Sequence, residues 1–484
     1  MTPHCARTLH WILALASCIS SGCAGCGHTT DTDDAGDSDV YEDADIRDDA
    51  DDRVDADVPG DGEAEDDGDT GSDAAPTTLA PLGFSGAVSL DTRDAGAVET
   101  FLASMGYADP DEFQGDVARR MRDLGARSAR IEFFYIGRGE IAETYAFPED
   151  IHGEDFVPVG WLNPIEPAEG LDTEFEAAFE DLIERYPGIH IWQLGNEPDL
   201  LWRRPELYPD FFIRAQAVVR QTCPECLVLL AGISNQWDTS ETSFELYDGY
   251  LTDITTELPD RPFDVFDFHF YKERLVREEV LSAIEDYSGL LRTHGLSGVP
   301  LWCTETGVYS GFWGQPGYPL HTAEDQARQI VQLHSLLLSH GVERVFYWTV
   351  VEIDGGGGPW FEHMGLVFNG LHDEEMLGIA GGIEKPAYQS YQLMARGLVE
   401  LAAAEEIEDG VVRFVRADGS LRFAVWADTT VSRTISGLPW ESARVTNMIP
   451  DEGGVLTVEE LAVSGGELTV EASIDPIWIE PGES

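Results

Sequence analysis

Short apolar runs alternate with longer amphipathic stretches through most of the chain, beginning near residue 84. An apolar run of about four to eight residues is typical of a strand that is buried on both faces. The amphipathic stretches carry apolar residues at the spacing of one helix face. Strands that alternate with helices predict a parallel sheet wrapped by helices. The eight predicted strands are residues 84–90, 128–134, 156–162, 189–195, 227–233, 263–270, 300–304 and 344–351.

Eight strands in this order predict an α/β fold, the (β/α)8 TIM barrel. The predicted helices are residues 116–124, 173–186, 209–221, 276–294, 323–340 and 385–394. After residue 405 helix signals disappear, and short alternating runs follow at 411–415, 421–426, 432–435, 455–458 and 468–474. Such runs predict a small antiparallel β-sandwich. We therefore expect a barrel domain at residues 79–400 and a C-terminal β-sandwich domain at residues 401–484.

The first 78 residues have neither pattern. Residues 1–28 contain an apolar stretch, 9–16, that is too short to span a membrane and is typical of an export signal. Residues 29–78 hold 21 Asp and Glu against 2 Arg, with few large apolar side chains. Such a segment cannot bury enough apolar surface to offset the entropy of ordering, so it predicts a disordered acidic tether.

Leu15-Ala16-Ser17-Cys18 follows the apolar stretch and resembles the lipobox of bacterial lipoproteins, whose cysteine becomes lipidated. The resemblance implies lipidation of Cys18, with Cys23 and Cys26 as alternative attachment points. We then expect an exported cell-envelope lipoprotein, at the outer membrane or the cell surface, that meets the membrane through its lipid anchor. The alternative is an ordinary cleaved signal and a secreted protein.

Charge and cysteine spacing limit the possible partners. The formal net charge is −62, and nucleic-acid binding requires basic patches, so nucleic acid is excluded as a partner. Cys223 and Cys226 lie in a predicted turn between a helix and a strand. A disulfide is favoured over half of a zinc site, because no second pair of Cys or His stands at ligand spacing. We expect no metal, no other cofactor and a monomeric protein.

Two of the predicted strands lead directly to a glutamate. Residues 191–198 have the sequence Ile-Trp-Gln-Leu-Gly-Asn-Glu-Pro, so Asn196 and Glu197 follow the fourth strand. Glu305 ends the seventh strand. Catalytic groups of a (β/α)8 barrel gather at the carboxyl ends of its strands. Two carboxyl groups that converge there are what cleavage of a glycosidic bond requires.

On these motifs the barrel resembles clan A of the glycoside hydrolases, retaining (β/α)8 enzymes that include families 5 and 39. In that clan the acid/base glutamate follows an asparagine at the end of the fourth strand, as Glu197 follows Asn196. The nucleophile ends the seventh strand, as Glu305 does. Family 5-like members also place an arginine on the second strand, His-x-Tyr after the sixth and a tryptophan on the eighth. The matching residues are Arg130, His269, Tyr271 and Trp348.

The match is incomplete at the third strand. Family 5 members usually place a histidine at its end, and residues 156–163 contain none. Trp161 and Asn163 are the candidates for that position. The predicted β-sandwich and residues 365–386 resemble family 39 and its relatives more closely.

The chemistry requires different protonation states of the two glutamates. Glu305 must be ionised to attack the anomeric carbon, so Arg130 and Tyr271 should lower its pKa. Glu197 must carry a proton, so partial burial and the charge of Glu305 should raise its pKa. Asn196 is placed to bind the sugar 2-hydroxyl.

Aromatic side chains are the candidates for contact with sugar rings. Trp348 offers one such face. Trp202 and Trp360 are weaker candidates, because ordinary packing explains them equally well. His321 and His363 have no assigned role.

The sequence thus predicts a retaining O-glycoside hydrolase that cleaves a polysaccharide or oligosaccharide by a two-glutamate double displacement. One alternative is a surface carbohydrate-binding lipoprotein with an inactive barrel, which would not need both glutamates. Another is a transglycosylase, in which a sugar hydroxyl replaces water and the catalytic residues are the same. In each case the expected partner is a carbohydrate.

Overall fold

The computed structural model describes residues 80–85, 95–143, 156–164, 171–234, 240–272, 274–311, 320–353, 359–371, 379–451 and 453–482. The predicted signal and acidic tether, and with them Cys18, Cys23 and Cys26, lie outside these residues. None of the described helices is both long enough and apolar enough to cross a membrane.

Eight parallel strands form the barrel that the sequence predicts. Its strands are β1 (Leu82–Phe84), β2 (Ser128–Gly137), β4 (Val157–Pro164), β5 (Ile191–Leu194), β6 (Leu227–Leu230), β7 (Phe266–Tyr271), β8 (Leu301–Gly307) and β9 (Val342–Tyr347). Around the barrel the strands follow the order β6, β5, β4, β2, β1, β9, β8, β7. Isolated parallel bridges, Leu229 with Val265 and Ile233 with Phe268, link the two ends of this order and nearly close the ring.

Helices connect the strands of the barrel. They are α1 (Ala95–Ser104), α2 (Pro110–Leu124), α3 (Phe175–Arg185), α4 (Pro198–Leu201), α5 (Tyr208–Thr222), α6 (Ser240–Glu257), α7 (Arg277–Thr293), α8 (Ala323–Ser339), α9 (Pro359–Glu362) and α10 (Pro386–Gly397). Thr322 and Asp325 form a capping box at the start of α8, so this helix begins where its sequence signal predicts. The sequence analysis missed α1, α4, α6 and α9.

Three strand boundaries differ from the prediction in ways that matter for the site. β1 begins two residues early, and residues 86–90 lie outside the described part of the chain. β8 continues to Gly307, so Glu305 lies within the strand and not at its end. β9 ends at Tyr347, so Trp348 follows the eighth strand. In addition, β3 (Glu140–Glu143) forms an unpredicted hairpin with β2.

The inside of the barrel is a packed apolar layer below the polar residues of the site. Val159, Ile191, Leu229, Val265, Trp302 and Phe346 form this layer. Side chains of a β-strand alternate between faces, so residues 161 and 163 on β4 share the inner face with Val159. The packed layer supports the polar residues that stand nearer the carboxyl ends of the strands.

The residues beyond α10 form antiparallel sheets, as predicted for a β-sandwich. Their strands are β10 (Leu401–Glu408), β11 (Val411–Arg416), β12 (Leu421–Val425), β13 (Val431–Ser436), β14 (Ser442–Asn447), β15 (Val458–Ala462), β16 (Glu467–Ala472) and β17 (Ile477–Pro481). Six strands pair in the order β10, β11, β12, β17, β14, β15, and β13 pairs with β16. The sequence analysis missed β10, β14 and β17, and β15 lies later than the predicted strand at 455–458.

The C-terminal sheets share an apolar core with the barrel helices. Phe414, Trp426 and Trp478 belong to the same buried cluster as the barrel, whereas Phe423 belongs to a separate cluster inside the sheets. Two ion pairs cross the same junction, Arg277 with Glu406 and Arg328 with Asp475.

The cysteines of the described part occur in two chemical states, a disulfide and a free thiol. Cys223 and Cys226, between α5 and β6, are joined in a disulfide with their Cα atoms 5.3 Å apart. Cys303 is a free thiol buried in β8.

Candidate active site

Glu197 stands in the sharp turn between β5 and α4. Its backbone is left-handed, with φ 38°, and Gly195 before it has φ 91°. A Cβ at Gly195 would also lie 2.9 Å from the ring of Tyr208, so this turn requires glycine. Pro198 then begins α4, where a missing N–H is tolerated. The sequence Gly-Asn-Glu-Pro therefore buries the Glu197 side chain at the carboxyl end of the barrel.

A β-bulge in β8 turns Glu305 toward the barrel axis. Cys303 pairs with Phe268 and Glu305 pairs with His269, so Thr304 is an extra residue in this strand. The Thr304 hydroxyl donates to Asp267 at 2.6 Å, so Thr304 also faces inward. The bulge lets two successive residues point to the same face, which regular alternation does not allow.

The two glutamates converge on His269. Its Nδ1 lies 2.8 Å from a carboxylate oxygen of Glu197 and 3.6 Å from one of Glu305. This nitrogen and one carboxylate oxygen of each glutamate all lie within 4.8 Å of one another. Carboxyl groups of retaining glycosidases are about 5–5.5 Å apart, and those of inverting enzymes about 6.5–9.5 Å. The 4.8 Å limit for one oxygen of each glutamate is below both of these separations.

Arg130 on β2 connects the residues at the base of the site. Its Nε donates to Gln193 at 2.7 Å, and its Nη2 donates to Asn196 Oδ1 at 2.6 Å. Its Nη1 donates to Ser85 at 3.0 Å and to a carboxylate oxygen of Glu305. The guanidinium is fully buried, so it places a fixed positive charge beside Glu305.

Tyr271 and Trp348 complete the set of predicted residues. The Tyr271 hydroxyl donates to the second oxygen of Glu305 at 3.1 Å. Trp348 is half-buried and packs against a small cluster that contains Tyr271 and Tyr309. The structure thus brings together Arg130, Asn196, Glu197, His269, Tyr271 and Glu305, with Trp348 beside them.

The surroundings shift the pKa values of the two glutamates in opposite directions. Burial raises the pKa of Glu197, and the charge of Glu305 adds to the rise, although His269 opposes it. Burial also acts on Glu305, but His269, Arg130 and Tyr271 together outweigh it and lower the pKa of Glu305. Burial disfavours the charged form of His269, but Glu305 and Glu197 outweigh this effect and raise its pKa. Glu305 therefore loses its proton at a lower pH than Glu197 does. Glu305 is suited to act as an ionised carboxylate, and Glu197 is suited to carry a proton.

Two buried polar residues near the glutamates, Gln193 and Asp267, escaped the sequence analysis. Gln193 accepts from Arg130, and Asp267 accepts from the backbone N–H of Thr304 at 3.0 Å as well as from its hydroxyl. Burial raises the pKa of Asp267 to about 6, against the lowering effect of His269 and Arg130. The sequence did contain a sign of both residues, because Gln193 and Asp267 are polar residues within apolar strands. A polar residue in such a strand needs a buried hydrogen-bond partner.

Gly232 was also missed. It follows β6, and a Cβ at this position would lie 2.3 Å from His269 Nε2 and 2.9 Å from Asp267. The absence of a side chain at Gly232 is what leaves room for the imidazole between the two glutamates. No local pattern marks this glycine, since the contact joins residues of neighbouring strands.

The remaining candidates do not reach the glutamates by any described contact. Trp202 packs edge-on against Tyr208 and Phe211, with ring centroids 5.7 and 5.6 Å away, so it serves local packing. His321 stacks on Tyr309 at 4.5 Å. The side chain of Trp360 lies outside the described part of the chain.

The described residues contain a second buried ionic cluster. Lys385, before α10, donates to Glu352, to Ser310 at 2.8 Å and to the carbonyl oxygen of His363 at 3.0 Å. The other oxygen of Glu352 accepts from the backbone N–H of Asn369 at 3.2 Å. These contacts join the segments that follow β8 and β9 to the start of α10.

Two groups of described residues have the spacing of metal ligands. In the first, His190 stands near Cys223 and Cys226, but the disulfide occupies both sulfurs. The second is Glu197, His269 and Glu305. There Arg130 already supplies a positive charge to Glu305.

No family model matches the chain, and no curated protein matches its sequence. Its structure is similar to a family 39 glycoside hydrolase from Bacteroides cellulosilyticus WH2, with a TM-score of 0.56 and 15% identity over 84% of this chain and 81% of that one. It is similar to a glucosidase from Croceicoccus marinus, with a TM-score of 0.52 and 13% identity over 76% and 92% of the two chains. It is also similar to the catalytic domain of GH30 xylanase C from Talaromyces cellulolyticus, with a TM-score of 0.52 and 11% identity over 84% and 97%.

At these identities the similarity shows the fold. The chain has the (β/α)8 barrel that glycoside hydrolases of the clan A type share. The resemblance that the sequence motifs indicated is therefore matched by the architecture of the barrel.

Proposed function

We propose that this protein is a retaining O-glycoside hydrolase in which Glu305 is the nucleophile and Glu197 the acid/base. The observation that carries the proposal is the pair of carboxyl groups with oxygens within 4.8 Å of each other and pKa values shifted in opposite directions. A pair this close leaves no room for a water molecule between a carboxylate and the sugar, so the carboxylate itself attacks.

In the first step a Glu305 oxygen forms a bond to the anomeric carbon while the bond from that carbon to the leaving oxygen breaks. Glu197 gives its proton to the leaving oxygen, so the product departs as an alcohol. Arg130 and Tyr271, which donate to the two oxygens of Glu305, hold the carboxylate in place for attack. His269 positions Glu197 through the 2.8 Å contact.

In the second step Glu197, now ionised, takes a proton from water, and the water oxygen attacks the anomeric carbon. The bond to Glu305 breaks, and its electron pair returns to the carboxylate. Formation of the glycosyl ester removes the negative charge of Glu305, which had raised the pKa of Glu197. Glu197 can therefore act as an acid first and as a base afterwards.

The direct test is the configuration of the first product. Proton NMR during the first minutes of hydrolysis, before mutarotation, should show that the newly formed sugar keeps the anomeric configuration of the substrate. An inverted product would contradict the assignment of Glu305 as nucleophile. A protein that binds glycans without any turnover would instead support the alternative of an inactive barrel.

We also propose that the protein is exported and anchored by a lipid on Cys18. The support is the match of Leu15-Ala16-Ser17-Cys18 to a lipobox, followed by the acidic residues 29–78.

A further inference from the structure

The β-bulge in β8 determines the direction of the Glu305 side chain. Along this strand, Trp302 belongs to the apolar layer inside the barrel, and Cys303 belongs to the core that contains the barrel helices. Regular alternation would therefore turn Thr304 inward and Glu305 outward, away from Glu197. The extra residue shifts the alternation by one position, so both Thr304 and Glu305 face inward.

The same irregularity is present on the other side of β8. There Cys303 pairs with Val345 and Thr306 pairs with Tyr347, so three steps along β8 correspond to two steps along β9. Thr304 is therefore outside the regular pairing on both sides of its strand. Its N–H and its hydroxyl are buried, so they need other hydrogen-bond partners, because an unsatisfied buried polar group is unfavourable.

Asp267 on β7 supplies both of these partners. It lies two residues beyond Val265 of the inner apolar layer, so its side chain also faces inward. One carboxylate oxygen accepts from the N–H of Thr304 at 3.0 Å, and the other accepts from the Thr304 hydroxyl at 2.6 Å. Both residues are fully buried. Asp267 therefore binds the extra residue of the bulge through its backbone and its side chain at once.

Two further contacts confine the carboxylate of Asp267. His269 Nε2 lies 3.8 Å from it and 3.3 Å from the Thr304 hydroxyl. A Cβ at Gly232 would lie 2.9 Å from Oδ2 of Asp267, the oxygen that accepts from the hydroxyl, so the strand β6 side is also closely packed. The carboxylate is thus held against Thr304 by its neighbours on both sides.

We propose that Asp267 is a positioning residue for the nucleophile: it holds Thr304 in the bulge and thereby keeps Glu305 directed toward the sugar. The inference rests on the proposed function, in which Glu305 attacks the anomeric carbon. Asp267 and Thr304 take no part in the bond changes. Without their two hydrogen bonds, a return of β8 toward regular pairing would turn Glu305 away from Glu197.

The first test is turnover of an activated aryl glycoside of the sugar that the wild-type protein releases. Thr304→Val removes the hydroxyl but keeps the branched shape, and kcat should fall roughly tenfold at nearly unchanged KM, because the nucleophile is misdirected. Thr304→Ser keeps the hydroxyl and should retain most of the wild-type kcat. Equal losses in these two variants, or no loss in Thr304→Val, would overturn the inference.

Asp267→Ala removes both acceptors, and kcat should fall by about a hundredfold. Circular dichroism shows whether this variant is folded. If it is not folded, the comparison of Thr304→Val with Thr304→Ser decides alone. A folded Asp267→Ala with the kcat of the wild-type protein would overturn the inference.

Azide tests whether the loss arises through Glu305. In Glu305→Ala azide is the nucleophile, so no side chain at this position has to be directed at the sugar. Thr304→Val added to Glu305→Ala should therefore leave the rate of glycosyl azide formation nearly unchanged, although it lowers kcat when Glu305 is present. An equal loss in both backgrounds would mean that Thr304 acts through general packing, and it would overturn the inference.

Thr306→Val is the matched control in the same strand. Its hydroxyl is also buried and donates to the carbonyl oxygen of Phe270 at 2.7 Å, but Thr306 pairs with Phe270 in the regular ladder. Urea denaturation should show a loss of stability in Thr306→Val and in Thr304→Val alike. Only Thr304→Val should lose kcat by the larger factor. Equal losses of kcat would contradict a specific role for the bulge.

Glu305→Ala also distinguishes failure of this inference from failure of the proposed function. If Glu305→Ala is inactive and azide restores turnover, while Thr304→Val and Asp267→Ala keep the wild-type kcat, the proposed function stands and the inference is wrong. If Glu305→Ala keeps nearly normal activity, both are wrong.

Discussion

Glu197 and Glu305 have the same side chain, and their neighbours alone give them different acidities. Glu305 receives hydrogen bonds from Arg130 and Tyr271 on its two oxygens. Glu197 has His269 as its described side-chain partner and stands in a left-handed turn. At the scale of single residues, the roles of acid and nucleophile therefore follow from position in the barrel.

Azide should distinguish the nucleophile from the acid/base, because the anomeric configuration of the glycosyl azide should differ between the two alanine variants. Each alanine variant should lose about a thousandfold or more of its activity on the natural substrate. With an activated aryl glycoside, azide replaces the missing nucleophile in Glu305→Ala and gives a glycosyl azide of inverted configuration. In Glu197→Ala it attacks the glycosyl-enzyme and gives the retained azide.

NMR of the two azide products is the measurement. Exposed Glu112 on α2 provides the control, since Glu112→Ala should leave turnover unchanged and yield no azide product. Exchanged configurations in the two variants would mean that the roles of Glu197 and Glu305 are reversed.

From the sequence we predicted the residues that contact the two glutamates, but we missed residues that hold those contacting residues in place. Arg130, His269 and Tyr271 were predicted from the resemblance to clan A, whose family 5-like members place such residues in this order along the chain. Gln193 and Asp267 were missed, since each acts through a contact between different strands.

Secondary-structure elements, as well as single residues, fix the positions of the side chains in the site. The bulge at Thr304 turns Glu305 inward, and the buried cluster around Lys385 joins the segments after β8 and β9 to α10. Burial would raise the pKa of Glu352, but Lys385 and His363 outweigh it and lower the pKa to about 2. Glu352 is therefore ionised at neutral pH although it is buried.

Lys385→Met should destabilise the fold by about 3–5 kcal/mol at neutral pH, because it leaves the carboxylate of Glu352 buried without its cation. Without Lys385, burial should raise the pKa of Glu352 above its unfolded value, so the folded variant binds a proton more tightly than the unfolded chain. Its stability should then be present at low pH and lost as the pH rises. The gap to the wild-type protein should therefore be smaller at pH 4.5 than at pH 7.5.

Urea denaturation followed by tryptophan fluorescence at the two pH values measures this gap. Arg413→Ala is the control, because Arg413 and Glu405 form an exposed pair, with 41% and 61% of their side chains accessible. Such a pair should contribute less than about 1 kcal/mol. A loss in Lys385→Met no larger than that of the control, or one independent of pH, would argue against this account.

At the scale of the whole molecule, the C-terminal sheets and the barrel are joined by one core. Phe414, Trp426 and Trp478 are buried with the barrel helices. The composition of residues 401–408 would also suit a helix, since Ala and Glu favour helices. Pairing with β11 along most of its length makes this segment a strand.

Export and anchoring can be tested on the full-length protein in a bacterial host with a lipoprotein pathway. The native protein should partition into the detergent phase, because one acyl-bearing cysteine adds a large apolar surface. Cys18→Ser should move it to the aqueous phase. Cys23→Ser and Cys26→Ser are the matched controls and should partition like the wild-type protein.

Loss of partitioning in only one of these controls would move the attachment site to that cysteine. Aqueous partitioning of all four proteins would instead favour a secreted protein.

The sequence by itself determined the barrel, most of its strands and the positions of both glutamates, because these depend on local patterns. Apolar runs predict buried strands, and Gly-Asn-Glu-Pro predicts a turn after one of them. Tertiary structure alone decided the bulge at Thr304, the space at Gly232, the strand state of residues 401–408 and the Glu352–Lys385 cluster. Each of these depends on contacts between residues distant in sequence, and no local pattern records which distant residue becomes the neighbour.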